Sequence, residues 1–373
     1  MACFFDVKKC FDFIDHKSLL KKLAYYGFRN VSHKWFTNYL HLRKQYVASN
    51  GRQSSHLSVS TGVPQGSALG PLLFLIFIND FPQHIKHSSC NMFADDCCVY
   101  LTGKSLNETK SLFQNSVNDA CKWYKTNHLP INTDKSLCML AGSEHMLNRL
   151  DEHSKSLKIN IDNVNLKQVS DLPYLGINLD DTLKWNKHIL QLCSNISRTL
   201  GLLSRLRKVL NKDTLKLLYF SIILPKFDYA ISVWGYCSNT NQKLIVRLQH
   251  RAARIVTNNW DFINVRGNDL VKELGWQTVE ERRNYFTAML LYKCINGAAP
   301  RRLIDELVMT TDTHEINTRS TTNGSLQVPE PNYELFRNSL LYQGSSLWNS
   351  LPSLLRNAPD ILSFKKLYKS HFF

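Results

Sequence analysis

The chain has 373 residues, 43% of them hydrophobic and 20% charged, and a formal net charge of +16. Such a balance is globular and long enough for two or three packed units, and the cationic surplus favours a polyanionic partner, nucleic acid or an anionic membrane surface, without specifying a fold. The longest apolar run, Pro71 to Ile78, falls far short of the roughly 20 residues of a membrane span, and the opening MACFFDVKKC lacks the apolar core of a signal peptide, so an intracellular, nucleic-acid-facing protein is expected.

In chain order, Cys3 to Val7 (CFFDV) is a strand-forming run. Lys17 to Tyr26 reads as a helix, with Leu19, Leu20, Leu23 and Ala24 at helical spacing and Gly27 as its stop. A second helix is predicted over Val31 to Leu42, ending in the basic pair Arg43 and Lys44. Tyr46 to Val59 reads as two short strands around Asn50-Gly51. The loop Thr61 to Ser67 leads into an apolar helix from Pro71 to Ile78. Cys90 to Leu101 reads as two apolar strands interrupted by an acidic pair, and Ser105 to Thr126 as another helix.

After about Leu183 the character changes. Asn186 to Leu210 keeps one apolar face through Ile189, Leu192, Ile196, Leu200, Leu203 and Leu206. Asn241 to Thr257 is a further amphipathic helix, with Leu244, Ile245, Leu248, Ile255 and Val256 inward and a basic stripe of Lys243, Arg247, Arg251 and Arg254 opposite. Gly201 to Trp260 holds ten Lys or Arg against two Asp, which places half of the net charge there. The stripe suits a phosphate backbone; a solvated helix face accounts for its spacing equally well. Apolar helices beyond Asp261, such as Tyr285 to Cys294, read as packing elements.

Three segments carry chemistry. Phe93-Ala94-Asp95-Asp96 sets two repelling carboxylates between apolar strands, and a hard divalent cation is one reason to tolerate that charge; an ordinary solvated hairpin turn is the other reading. Asp6 is an isolated carboxylate inside a strand-forming run, costly if buried without a partner. Beside Asp95 and Asp96 it would complete the carboxylate cluster that two-metal phosphoryl transfer requires. Gly62 to Pro71 (GVPQGSALGP) is a tight loop open to close approach. It is not a phosphate-binding loop of the GxxxxGK[ST] form, and Gln65 and Ser67 can reach a template base or sugar unless the loop merely enters a helix. The ten cysteines contain no CxxC pair and read as reduced thiols. His84, His87 and Cys90, followed by Cys97 and Cys98, lack a second pair at ligand spacing, so a polar loop feeding a strand is preferred there to a zinc site.

The order FFDVKKCFD, GVPQGSALGPLLFLIFINDF and MFADD resembles the palm motifs of reverse transcriptases, in the variant of non-LTR, jockey- and CR1-like retrotransposons. Trp123 to Met139, with Asn132 and Lys135, resembles the next palm motif, and Tyr174-Leu175-Gly176 the primer-grip turn. Leu248 to Ile255 (LQHRAARI) and the stretch LWNSLPSLLRNAPDILSFKKLYKSHFF resemble the thumb and C-terminal region.

The resemblance implies an α+β fold: a right-hand polymerase palm with an antiparallel sheet and helices on one face over residues 1–183, a basic helical thumb-like region over 184–260, and a helical C-terminal region over 261–373. It implies an RNA-directed DNA polymerase using two Mg²⁺ or Mn²⁺ ions, an RNA template, a DNA primer and dNTPs. Asp6 and Asp95 would be the main metal ligands, with Asp96 supporting. Phe11 would be the aromatic gate against a ribose 2′-hydroxyl. Gln65, Gly66 and Ser67 would line the template and incoming nucleotide, and Lys135 would protonate pyrophosphate or neutralise its charge. A nuclear role also follows from the resemblance.

Only five residues precede Asp6, so a fragment without the fingers and endonuclease is expected, of uncertain activity by itself. The competing readings are a non-catalytic nucleic-acid-binding remnant and an RNA-templated RNA polymerase. Phe11 argues against the last, because a bulky ring there disfavours ribonucleotides.

Overall fold

The computed structural model of the chain describes residues 1–312, 324–331 and 333–373. It is an α+β protein that divides into two compact units, Met1–Leu172 and Pro173–Phe373.

The first unit is built on strands β1 (Ala2–Phe5), β2 (Ser89–Phe93), β3 (Asp96–Tyr100), β4 (Leu137–Met139) and β5 (Lys167–Gln168), hydrogen-bonded in the order β5-β4-β1-β3-β2. Pairing is antiparallel except at the β4–β5 edge, which is parallel. β1 is central, and successive side chains of a strand point to opposite faces. Cys3 and Phe5 therefore share a face with Val99, Cys97 and Cys138, and that face joins a core with Phe113, Val117, Ala120 and Tyr124. These four residues recur at helical spacing along α4 (Leu106–Thr126), which is why this helix lies on the sheet. Phe4, Cys98 and Met139, on the opposite face, are buried as well. The central strand is thus apolar on both sides, and the CFF run shows no alternation.

Three further helices of this unit precede β2: α1 (His16–Tyr25), α2 (Asn30–Leu40) and α3 (Gly70–Ile78). Asp15 caps α1 through a 2.7 Å bond from the Ser18 amide. α1 is tied to the end of α3 by Lys22, whose ammonium donates at 2.7 Å to both the Asp80 carboxylate and the Phe77 carbonyl and lies over the Phe77 and Trp123 rings. Burial lowers the affinity of this lysine for its proton, and Asp80 partly restores it. α2 stops at Leu40, two residues short of the expected end. The His41 amide closes onto the Thr37 and Asn38 carbonyls, and Leu42 takes a positive φ of 50°. Between α2 and α3 the chain makes a ribbon: Lys44–Gln45 pairs with Leu57–Ser58, and Ala48–Ser49 with Arg52–Gln53. Asn50 and Gly51, both at positive φ, form the turn expected of that dipeptide.

The second unit opens with the hairpin β6 (Asp171–Tyr174) and β7 (Ile177–Asp180), whose first strand straddles the unit boundary. Leu175 and Gly176 turn it at φ of 46° and 78°. The Tyr229 hydroxyl donates to the Leu175 carbonyl at 2.6 Å, and a side-chain carbon on Gly176 would stand 3.0 Å from the Tyr229 ring, so the positive φ and this tight approach both favour glycine there. Asp180 is buried and fastens the next bend by accepting from the amides of Thr182, Lys184 and Trp185.

Helices then dominate: α5 (Asn186–Leu206), α6 (Lys212–Leu218), α7 (Leu224–Asp228), α8 (Asn239–Thr257), α9 (Gly267–Glu273), α10 (Val279–Ile295), α11 (Leu340–Ser350) and α12 (Ile361–Phe372). α5 ends at Leu206 rather than Leu210 because the chain must turn before Asn211, which caps α6. A π-helical turn, Tyr219–Ile223, joins α6 to α7. Pro225 lacks an N–H and would clash with the carbonyl four residues back in a regular helix, and the widened turn relieves that. Ile189, Ile196, Leu200 and Leu203 of α5 meet Ile245, Leu248, Ala252 and Ile255 of α8 in one core. Ala288, Leu291 and Tyr292 of α10 meet Trp348 of α11 and Phe364 of α12 in another. Tyr285 to Cys294 thus lies in a packing helix, as its apolar spacing suggests. No helix among the described residues is long and apolar enough to cross a membrane.

Candidate active site

Asp6 follows β1, and Asp95 and Asp96 lie at the turn between β2 and β3. Phe5 pairs with Cys97 in the antiparallel ladder, so one further step of that register sets Asp6 opposite Asp96. The turn itself is tight, because Phe93 pairs directly with Asp96 and Ala94 takes a positive φ of 53°. Residues 89 positions apart in sequence are thereby brought to one end of two adjacent strands. The carboxyl of Asp96 is pushed above its ordinary value, first by partial burial and then by the negative charge of Asp95 and Asp6.

Asp6 is held in place by a loop that reaches it from β4's side of the sheet. The Asn132 side-chain amide donates to an Asp6 carboxylate oxygen at 2.8 Å, and the Asn132 backbone amide donates to the Asp6 carbonyl at 2.8 Å. The Asp6 amide donates to the buried Ser136 hydroxyl at 3.1 Å. Val7 bridges to Ile131, and Lys8 donates to the Pro130 carbonyl, so the two segments run together for several residues. Lys135 lies exposed in this same loop. On the other side, the Cys10 thiol donates to Asp95 at 3.5 Å, and burial together with that carboxylate pushes the thiol up to about 12. Cys10 is therefore a protonated donor at neutral pH and not a nucleophile. Asn132 belonged to a motif without a role in the sequence, and Ser136 and Cys10 carried no local signal at all.

Phe11 and the glycine loop form a second group. The Phe11 ring is half-buried against Phe74 of α3, with centroids 5.0 Å apart. The Val63 amide donates to the Phe11 carbonyl and the Gly62 amide to the Ile14 carbonyl. Gly62 has a φ of 85°, and a side-chain carbon there would stand 2.9 Å from the Asp12 backbone, so close approach demands glycine. The exposed Gln65 donates to the Asp12 carboxylate at 2.8 Å, and Gly66, also at positive φ, has open space around it. The Ser67 hydroxyl donates to the Pro64 carbonyl and accepts from the Gly70 amide. It closes the loop onto the start of α3, so the helix-entry reading of this segment holds for Ser67.

The basic stripe on α8 is only partly a surface. Lys243, Arg247 and Arg251 are exposed. Lys243 and Arg247 line a groove of about 370 Å³ with Asn239, Gln242, Val246 and His250. Arg254 departs from the expected stripe: it is buried, donates to the Asn259, Asp261 and Val265 carbonyls, and lies 4.2 Å from the Phe262 ring. The loop after α8 folds over it, which helical spacing alone does not register.

Among the described residues, no three His, Cys, Asp or Glu side chains enclose a metal site by themselves; the zinc-like spacing at His84, His87 and Cys90 is not gathered into one. The Asp6, Asp95 and Asp96 group fits a different kind of ion. Mg²⁺ keeps several waters and is held by one or two carboxylates plus substrate phosphates rather than by a protein cage. A cluster of carboxylates in which burial and then mutual repulsion raise Asp96 suits that incomplete shell.

The sheet thus bears aspartates on adjacent strand ends, and the glycine loop is bonded to the segment that follows Asp6. Residues 1–179 match the family model described as reverse transcriptase (RNA-dependent DNA polymerase). The chain is similar to a probable RNA-directed DNA polymerase from transposon BS of Drosophila melanogaster, at 29% identity over 77% of this chain and 32% of the relative. It is similar at 27% identity to the corresponding X-element protein of that fly, over 76% of this chain and 31% of the relative. The RNA-directed DNA polymerase from mobile element jockey, also from Drosophila melanogaster, is 26% identical over 69% of this chain and 28% of its own length. Residues 1–179, just under half of the chain, thus carry a reverse transcriptase domain, and the relatives are polymerases of non-LTR retrotransposons. It spans about a third of the length of these relatives.

Proposed function

We propose that the chain is an RNA-directed DNA polymerase that extends a DNA primer on an RNA template with dNTPs. The observation that carries this reading is the meeting of Asp6 with the Asp95-Asp96 turn at one end of β1 and β3. In this reading residues 1–183 are the palm, 184–260 a basic thumb-like region and 261–373 a C-terminal helical region, of which residues 313–323 and 332 lie outside the described ones.

Asp6 and Asp95 would hold two divalent ions, Mg²⁺ or Mn²⁺, with Asp96 in support. Such ions would lower the pKa of the attacking 3′-hydroxyl and offset the charge of the triphosphate. Asn132 and Ser136 fix Asp6 so that its carboxylate needs no reorganisation when substrate arrives. Cys10 holds Asp95 in the same way. Phe11 rests against Phe74, and its ring serves as the filter against a 2′-hydroxyl. Gln65 and Gly66 line the template and incoming nucleotide, while Ser67 contributes through the shape of the loop. Lys135, exposed in the clamping loop between Asn132 and Ser136, donates a proton to pyrophosphate or neutralises it. Lys243, Arg247 and Arg251 hold the phosphate backbone, and Arg254 anchors the loop beyond them.

The groove beside Lys243 and Arg247 also supports a second reading, a nucleic-acid-binding protein without catalysis. Primer extension on a primed RNA template separates the two. Incorporation of dNTPs and not of ribonucleotides is expected, and Phe11→Val should admit ribonucleotides. RNA binding by a folded chain without any extension would favour the second reading.

A further inference from the structure

The segment from Arg29 to Val59 contains five Lys or Arg, three His and no Asp or Glu. Its helix, α2, turns Leu40 and the half-buried Phe36 towards the core. Its other side carries Trp35, whose surface is 50% exposed. Trp35 stacks on Tyr39 four residues later, with centroids 5.3 Å apart and planes 9° from parallel. The Arg43 guanidinium continues the series, 5.9 Å from the Tyr39 ring. Two rings one helical turn apart thus stack, the Arg43 guanidinium beyond the helix end lies near the second, and the indole stays half open. Ring pairs at this spacing support a helix locally, but that support does not require half an indole to be left in water.

The ribbon beyond it contributes nothing to the core. All of its strand residues are exposed, including Leu57 and Ala48. Tyr46 stands 4.8 Å from the His56 ring on it, and Val47 is exposed too. A two-stranded ribbon bare on both faces is marginal by itself.

We infer that this segment is a binding surface for single-stranded nucleic acid, with an unpaired base stacking on Trp35 and the phosphates held by Arg43, Lys44 and Arg52. A surface with cations and no acid selects a polyanion. Open aromatic faces select bases, and only unpaired bases offer their faces. An acidic protein would satisfy the charge but leaves the flat stack without a purpose. The inference does not rest on polymerase activity, since these residues lie apart from the aspartates and carry no part of the proposed chemistry.

The test is fluorescence anisotropy on the full chain, in EDTA and without nucleotides. The probes are oligouridylate, an abasic ribose-phosphate strand of the same length, and an RNA duplex. Wild type should bind oligouridylate more tightly than either other probe. Trp35→Ala with Tyr39→Ala should weaken oligouridylate binding by about 10-fold or more and leave the abasic strand unchanged. Trp35→Phe with Tyr39→Phe should retain most of the affinity. Arg43→Gln with Lys44→Gln, placed where a folding defect is least expected, should weaken both single strands. Equal wild-type affinity for oligouridylate and the abasic strand overturns the inference. So does an alanine pair that changes sedimentation but not probe binding, which would assign the face to a protein partner. Because metal and dNTPs are absent, failure of extension leaves this result standing, and the reverse also holds.

Discussion

Partial burial and then the charges of Asp95 and Asp6 raise the proton affinity of Asp96, which gives its environment a measurable sign. A folded value above the ordinary 3.8 means the folded chain holds this proton more tightly than the unfolded chain. The group therefore favours folding below about 3.8, and that contribution is lost as pH rises through the raised value. At neutral pH the cost of partial burial and the repulsion both act in full. Asp96→Asn should raise the melting temperature at pH 7, with the gain shrinking to nothing in acid below the ordinary carboxylate value. An unchanged melting temperature at pH 7 would contradict the raised proton affinity that burial and the two neighbouring carboxylates give Asp96. Asn132→Ala removes a hydrogen bond to a charged group, a kind worth about 1.5–3 kcal/mol. It should slow incorporation by roughly 10-fold or more at saturating dNTP, with near-native circular dichroism. The aspartates were visible in the sequence as separate, ambiguous segments, because a carboxylate within an apolar strand is a local anomaly. Their supports were not visible: Ser136 and Asn132 contact Asp6 across 130 and 126 residues, and no short-range pattern records such a pairing.

At the level of elements, periodicity located the helices well and their ends poorly. The apolar stripes of α4, α5 and α8 are strong signals because each lies against a core. The ends of α2 and α5 were set instead by backbone closure at His41 and by the cap at Asn211. Arg254 shows the same limit, since its burial depends on the loop that folds over it. The INDF stretch supplies a testable joint. Asp80→Ala leaves the Lys22 ammonium without its carboxylate between α1 and α3, and should cost about 2–3 kcal/mol by urea denaturation. Lys22→Met with Asp80→Ala should recover part of that loss, because no charge is then left uncompensated. Gly62→Ala should be worse tolerated than Gly66→Ala. The first drives a methyl into the Asp12 backbone, while the second meets open space and bears only the cost of its backbone angle.

Across the whole molecule, the net charge of +16 has a direct consequence. Binding that neutralises several phosphates releases counterions, so RNA affinity should fall by roughly 10²-fold or more between 50 and 200 mM salt. A shallow dependence would place the cationic surplus elsewhere than in nucleic-acid binding. The family was legible because three motifs occur in order, each weak alone. What the sequence could not supply was the register that joins them, since the Phe5–Cys97 pairing exists only once the sheet is formed. The central claim is that Asp6, Asp95 and Asp96 constitute one catalytic site. Its most direct test is the dNTP incorporation rate on a primed RNA template with Mg²⁺, comparing wild type with the Asp95→Ala, Asp96→Ala variant. Extension by wild type, and its loss by at least about 10³-fold in a variant that folds and still binds the primed template, is the expected result. Equal extension by the two proteins would contradict the claim, as would a folded, template-bound wild type that extends nothing.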